Sequence, residues 1–214
     1  MRIGIKFERT GMSKFVSHLD MQRVFSRAIR RSGIRAVYSQ GFNPHIILSF
    51  AQALAVGLET TGDYMEFSAQ EGEENIASKL SRVMPPDVKI AAVGRLEDKG
   101  KKLMAAVESA EYDIYFGAGV AEKLRDFMAM ESYMLQNKKG TELDARSLVF
   151  GAEIEEDHAK LVLSLSSKAS LSPFTLMEYL APGENIRIVR RELFTTINGE
   201  AKPLSALFVE NILN

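Results

Sequence analysis

Four arginines, Arg23, Arg27, Arg30 and Arg31, lie close together in a segment that is otherwise apolar at Met21, Phe25, Ala28 and Ile29. If this segment is helical, each residue turns about 100° from the last, which gathers the arginines within roughly a third of the circumference. The apolar residues fall opposite. A helix anchored this way presents a guanidinium stripe, and planar guanidinium forks match phosphate oxygens. The alternative is a solvated amphipathic face on which Asp20 pairs locally with Arg23. Just downstream, Tyr38-Ser39-Gln40-Gly41-Phe42-Asn43-Pro44-His45 joins a flexible glycine to an aromatic ring, an amide, a rigid proline and an imidazole. Such a loop can turn backbone N–H groups toward an anion and offer Phe42 or Tyr38 to a nucleobase. In the other reading it is a well-made turn, with Phe42 plugging the core and His45 a satisfied polar residue.

The three histidines, His18, His45 and His158, show no spacing used by metal sites, so neither a metal nor a cofactor is expected. His18 and His45 flank the basic region and could act together as general acid and base. His158 follows Glu155-Glu156-Asp157 and reads as solvent-exposed. Farther on, Lys138-Lys139-Gly140 precedes Asp144 and Arg146. That patch either extends a binding groove or forms a surface turn closed by an Asp144 to Arg146 pair. The chain has no cysteine, which removes disulfides, thiolate nucleophiles, thiolate zinc sites and cysteine-held iron–sulfur clusters.

The elements that must position these residues follow from periodicity. Ile3, Ile5 and Phe7 alternate with charged residues over Arg2 to Arg9, the pattern of a half-buried strand. Ser17 with Asp20 three residues on marks a helix start, and Gly33 a stop, for a helix from His18 to Ser32. Strands are expected near residues 46–50, 64–68 and 88–93, and a helix over 73–84 that ends at Pro85-Pro86. This order is β-α-β-β-α-β, the ferredoxin-like arrangement. After the polar break Glu97 to Lys102 the order repeats: strand 112–116, helix 120–130, strands 148–153 and 160–165, a helix opened by Ser172-Pro173, and strand 186–194. The expected fold is therefore α+β, two tandem ferredoxin-like modules over 1–96 and 110–214 joined by a linker at 97–109, the second with a C-terminal extension.

The 214 residues include 46% apolar and 26% charged residues, as suits a packed globular protein. No apolar stretch is long enough to span a bilayer and no secretory leader is evident, so a cytoplasmic protein without membrane contact is expected. The net charge of −1 hides an asymmetry. Residues 1–50 hold nine Lys or Arg (Arg2, Lys6, Arg9, Lys14, Arg23, Arg27, Arg30, Arg31, Arg35) against Glu8 and Asp20, a net +7 set against −8 for the remainder. Either an anionic partner meets this basic segment, or the segment faces the chain's own acidic residues.

The run Phe15-Val16-Ser17-His18-Leu19-Asp20, the arginines that follow and Tyr38 to His45 resemble the hallmark of the uncharacterised radical-SAM-linked domain family. The likeness continues through Ala53-Leu54-Ala55-Val56-Gly57 and Tyr64, and Lys138-Lys139-Gly140 with Asp144 and Arg146 resembles the family's other recurrent patch. Ile46-Ile47 depart from it, where the family tends to have proline and lysine. The resemblance implies a stand-alone partner of a separately encoded radical SAM enzyme. The leading expectation is a module that binds RNA, or an RNA-like anionic substrate, and presents it to that enzyme for RNA modification. The alternatives are a metal-independent RNA-processing endonuclease using His18 and His45, and an adaptor whose basic face docks on an acidic protein.

Overall fold

A computed structural model describes residues 1–136, 140 and 142–211. The chain divides into two compact units, one formed by Met1–Val107 together with the segment from Leu193 onward, the other by Glu108–Glu192. The fold is mixed α and β, with short helices and a high strand content. No helix among the described residues is long and apolar enough to cross a membrane.

The first unit runs β1 (Arg2–Arg9), a 3-10 turn (Gly11–Phe15), α1 (His18–Arg31), β2 (Leu48–Phe50), β3 (Glu59–Ser68), α2 (Ile76–Ser81), β4 (Val88–Leu96) and α3 (Leu103–Ala106). β1 pairs antiparallel with both β3 and β4, and β2 pairs antiparallel with β3, so the strands lie in the order β4, β1, β3, β2. Ile3, Ile5 and Phe7 enter the core as their alternation requires, where they meet Met21, Phe25, Ala28 and Ile29 of α1. The ring of Phe7 packs edge-on against Phe25 at 4.8 Å and Phe50 at 5.7 Å. These contacts fix which face of α1 is left to solvent.

The second unit runs β5 (Ser109–Tyr115), α4 (Val120–Ala129), a hairpin of β6 (Met134–Gln136) and β7 (Glu142–Asp144), then β8 (Val149–Ile154), β9 (His158–Ser164), α5 (Pro173–Leu180) and the part of β10 (Arg187–Ile197) up to Glu192, the strand's residues from Leu193 on belonging to the first unit. β9 pairs antiparallel with β5 and β8, and the strand order is β10, β5, β9, β8. With the hairpin set aside, the element order matches that of the first unit. Ala110, Tyr112 and Ile114 are buried, as are Leu124, Phe127 and Leu176.

Two boundaries differ from the sequence reading. The C-terminal segment belongs with the first unit. β11 (Glu200–Pro203) folds back on the end of β10, and β12 (Phe208–Asn211) pairs with β4 through Phe208 and Leu96. The polar break after Leu96 is also no loose linker. The buried Arg2 guanidinium donates to the carbonyls of Glu97, Gly100 and Lys101 and pairs with Glu66, and α3 then buries Leu103 and Ala106. A planar fork with five N–H donors satisfies several carbonyls at once, which is why one arginine can hold this whole segment. α2 begins at Ile76 rather than Glu73, because the buried Glu73 carboxylate turns inward to Arg35 and Lys79.

Candidate functional site

α1 starts where its cap dictates. The Ser17 hydroxyl accepts the backbone N–H of Asp20 and donates to the Asp20 carboxylate, while Arg23 donates to the same carboxylate at 2.6 Å. These two hydrogen bonds, from Ser17 first and Arg23 second, hold the Asp20 carboxyl below its ordinary value. The anticipated local pair on Arg23 is therefore present. It does not extend along the stripe, because Asp20 is the only acidic residue of the helix.

All four arginines of the stripe are exposed, but their surroundings differ. Arg31 donates to the carbonyl of Val83 at 2.9 Å and so ties α1 to the segment after α2. Of the nine basic residues in 1–50, most are engaged within the chain. Arg2 is clasped as described, Arg9 donates to the carbonyls of Lys14, Ala55 and Leu58, and Lys14 lies 3.6 Å from the Glu59 carboxylate. Lys6 lies over the Tyr64 ring, and Arg35 pairs with Glu73. Arg27 and Arg30 alone make no hydrogen bond, ion pair or ring contact among the described residues.

Both of these arginines line one open cavity of about 460 Å³. One wall is the solvent face of α1, which supplies Leu19, Gln22, Arg23, Ser26, Arg27 and Arg30; the other is His45, Ile46 and Leu48. The helix positions recur at three- and four-residue steps, as one face of a helix must. Ile46 is buried and contributes apolar wall. The cavity thus brings together Arg23, Arg27, Arg30 and His45 from the residues singled out by sequence.

The loop that carries His45 is closed at its base. Ser39 N–H donates to the carbonyl of His45, the His45 N–H donates to the Ser39 hydroxyl, and that hydroxyl lies 2.9 Å from Nδ1 of His45. Gly41 has φ +122°, a conformation that favours glycine. At the tip Phe42 is fully exposed and Tyr38 and Asn43 are exposed as well, so Phe42 is no core plug. His18 takes a different part. Its ring packs on Phe50 at 5.3 Å and its Nε2 meets Gln22 at 3.2 Å, and it does not line the cavity.

A family profile matches residues 2–173, which takes in the cap, the arginine helix, the loop and most of the second unit. The chain belongs to the DUF2344 family. That family is described as an uncharacterized protein conserved in bacteria. No curated protein matches the chain. In this DUF2344 chain the second unit's expected patch divides: Lys138 and Lys139 lie outside the described residues, and Arg146 is committed internally. Its guanidinium donates to the carbonyls of Met128 and Val149, while Asp144 accepts the backbone N–H groups of Tyr133 and Arg146 rather than the guanidinium.

One cluster escaped the sequence reading altogether. His158 is only 23% exposed, with Nε2 3.3 Å from Asp113 and its ring stacked on Tyr115 at 4.8 Å. Asp113 also pairs with Arg191, which reaches the Tyr115 hydroxyl. Strand pairing of Tyr115 with His158 creates this group, and nothing in the local acidic turn signals it. Among the described residues no three His, Asp or Glu side chains gather to hold a metal ion.

Proposed function

We propose that the chain binds single-stranded RNA and presents it to a separately encoded radical SAM enzyme in RNA modification, in the cytoplasm, and that its two units are tandem ferredoxin-like modules. One observation carries the RNA reading: Arg27 and Arg30, the basic residues of 1–50 that make no hydrogen bond, ion pair or ring contact among the described residues, line one cavity whose second wall leads into a loop with a bare phenylalanine at its tip. Guanidinium groups beside an exposed aromatic ring are what a flexible strand needs, phosphate neutralisation together with a stacking platform. A rigid duplex keeps its bases stacked and would leave Phe42 unused. The element order β-α-β-β-α-β and the antiparallel order β4, β1, β3, β2 support the ferredoxin-like reading, although a fold by itself assigns no function. The radical SAM partner is supported by the resemblance carried by residues 15–45.

The test is a titration of labelled single-stranded and duplex RNA of one sequence against the untagged protein. Preferential binding of the single strand, reduced by Phe42→Ala, is expected. Equal affinity for both forms, or none for either, contradicts the proposal. Capture of an acidic protein with no RNA bound would move the basic face to protein docking.

A further inference from the structure

The cavity beside α1 contains more than a backbone-tracking surface requires. A strand held only by its phosphates needs cations along a shallow path. Here the cations stand at the edge of a hollow of about 460 Å³, and binding sites for small molecules fall at roughly 300–1,000 Å³. Its walls carry three kinds of chemistry. Leu19, Ile46 and Leu48 supply apolar surface, and Gln22, Ser26 and His45 supply an amide, a hydroxyl and an imidazole. Arg27 and Arg30 supply charge.

We infer that this cavity holds one unstacked nucleotide of the RNA strand, with its base against Leu19, Ile46 and Leu48 and its flanking phosphates on Arg27 and Arg30. The inference rests on the single-strand reading above and narrows it to a defined subsite. Arg27 and Arg30 are three residues apart on α1, which places their Cβ atoms about 5–6 Å from each other. Their forks can therefore serve the two phosphates on either side of a single nucleotide. Gln22 and Ser26 lie one turn apart on the same helix, facing His45 across the cavity. An amide donates and accepts, as does a hydroxyl, so the pair can read the polar edge of a base or a ribose hydroxyl. Ser39 restrains His45 through the 2.9 Å contact at Nδ1, which leaves Nε2 as the ring nitrogen available to a ligand. Phe42 lies three residues before His45, within about 10 Å along the chain, and takes the neighbouring base.

The four ribonucleoside 3′,5′-bisphosphates, tested as competitors of a bound labelled single-stranded RNA, examine this directly. At least one is expected to displace the RNA and to bind about tenfold more tightly than inorganic phosphate, since the base adds apolar and polar contacts. Arg27→Gln should weaken that bisphosphate about tenfold through loss of a charge-assisted contact. Phe42→Ala should leave bisphosphate affinity unchanged while weakening the oligonucleotide. RNA binding that no bisphosphate competes away overturns the nucleotide subsite and leaves the single-strand reading intact. Bisphosphate no tighter than phosphate also overturns it, reducing the cavity to an anion site. Bisphosphate binding with no RNA binding, or no binding of either, overturns both.

Discussion

The Ser39 hydroxyl stands 2.9 Å from Nδ1 of His45 while accepting the His45 backbone N–H at 3.1 Å, so one side chain closes the loop and orients the imidazole that lines the cavity. Removing that hydroxyl should free the ring without opening a hole in the core. Ser39→Ala is expected to weaken single-stranded RNA about fivefold, from a net hydrogen bond of ~1 kcal/mol, with little change in melting temperature. A titration of both variants, Ser39→Ala and His45→Ala, checks it. Equal affinity of Ser39→Ala and the unmodified protein would show that the loop needs no such restraint.

Glu73 makes the first unit sensitive to acid. Burial by itself pushes this carboxyl up, but hydrogen bonds from Lys79 and Arg35 outweigh it and hold the group below its ordinary value of 4.5. Because the folded-state value is depressed, its stabilisation is present above the unfolded value and is lost as pH falls through the folded one. Chemical denaturation should therefore show stability falling below about pH 4.5. Glu73→Gln should lower stability at neutral pH by about 2 kcal/mol and flatten this part of the profile. An unchanged profile would mean that Glu73 does not carry the effect.

Phe208 depends on the absence of a side chain at Gly94. A Cβ built there would lie 2.5 Å from Cβ, Cγ and Cδ2 of Phe208, atoms at the base of the ring that have little freedom to move. Gly94→Ala is expected to cost about 1–3 kcal/mol. In the background of Phe208→Ala the same substitution should cost markedly less. Additive losses in this double-mutant cycle would contradict the packing described.

Arg146 separates a structural arginine from a binding one. Arg146→Gln leaves the carbonyls of Met128 and Val149 without their guanidinium donor and should destabilise the protein by about 1–2 kcal/mol. RNA affinity measured well below the melting temperature is expected to be unaffected. A clear loss of RNA binding in a folded variant would return this residue to the groove.

The sequence was most legible where one element carries its own signal. The cap at Ser17, the apolar stripe of α1 and the alternation of Ile3, Ile5 and Phe7 each specify local structure and the face it buries. The arginine stripe was visible for the same reason. What it concealed was long-range bookkeeping: that Arg31 is spent on Val83, Arg2 on the segment from Glu97 to Lys101, and Arg146 on two carbonyls. A guanidinium looks the same in a sequence whether its partner is solvent or a carbonyl far along the chain. Phe42 was likewise undecided, since a turn aromatic can face either way. One missed feature did have a local mark. Asn198-Gly199, both at positive φ, joins β10 to β11, and Asn-Gly is the strongest short hairpin signal.

If Arg27 and Arg30 hold RNA, the salt dependence of binding reports their contacts with its phosphates. With Arg23, Arg27 and Arg30 facing the strand, log affinity against log salt should fall with a slope of about −2, from about −0.7 per phosphate contact. The double variant Arg27→Gln, Arg30→Gln should keep its melting temperature, because both heads are exposed and unpaired among the described residues. Its slope should flatten by roughly one to one and a half units. A slope unchanged in the double variant, or a variant that loses its fold, would contradict a role for these two arginines in holding RNA.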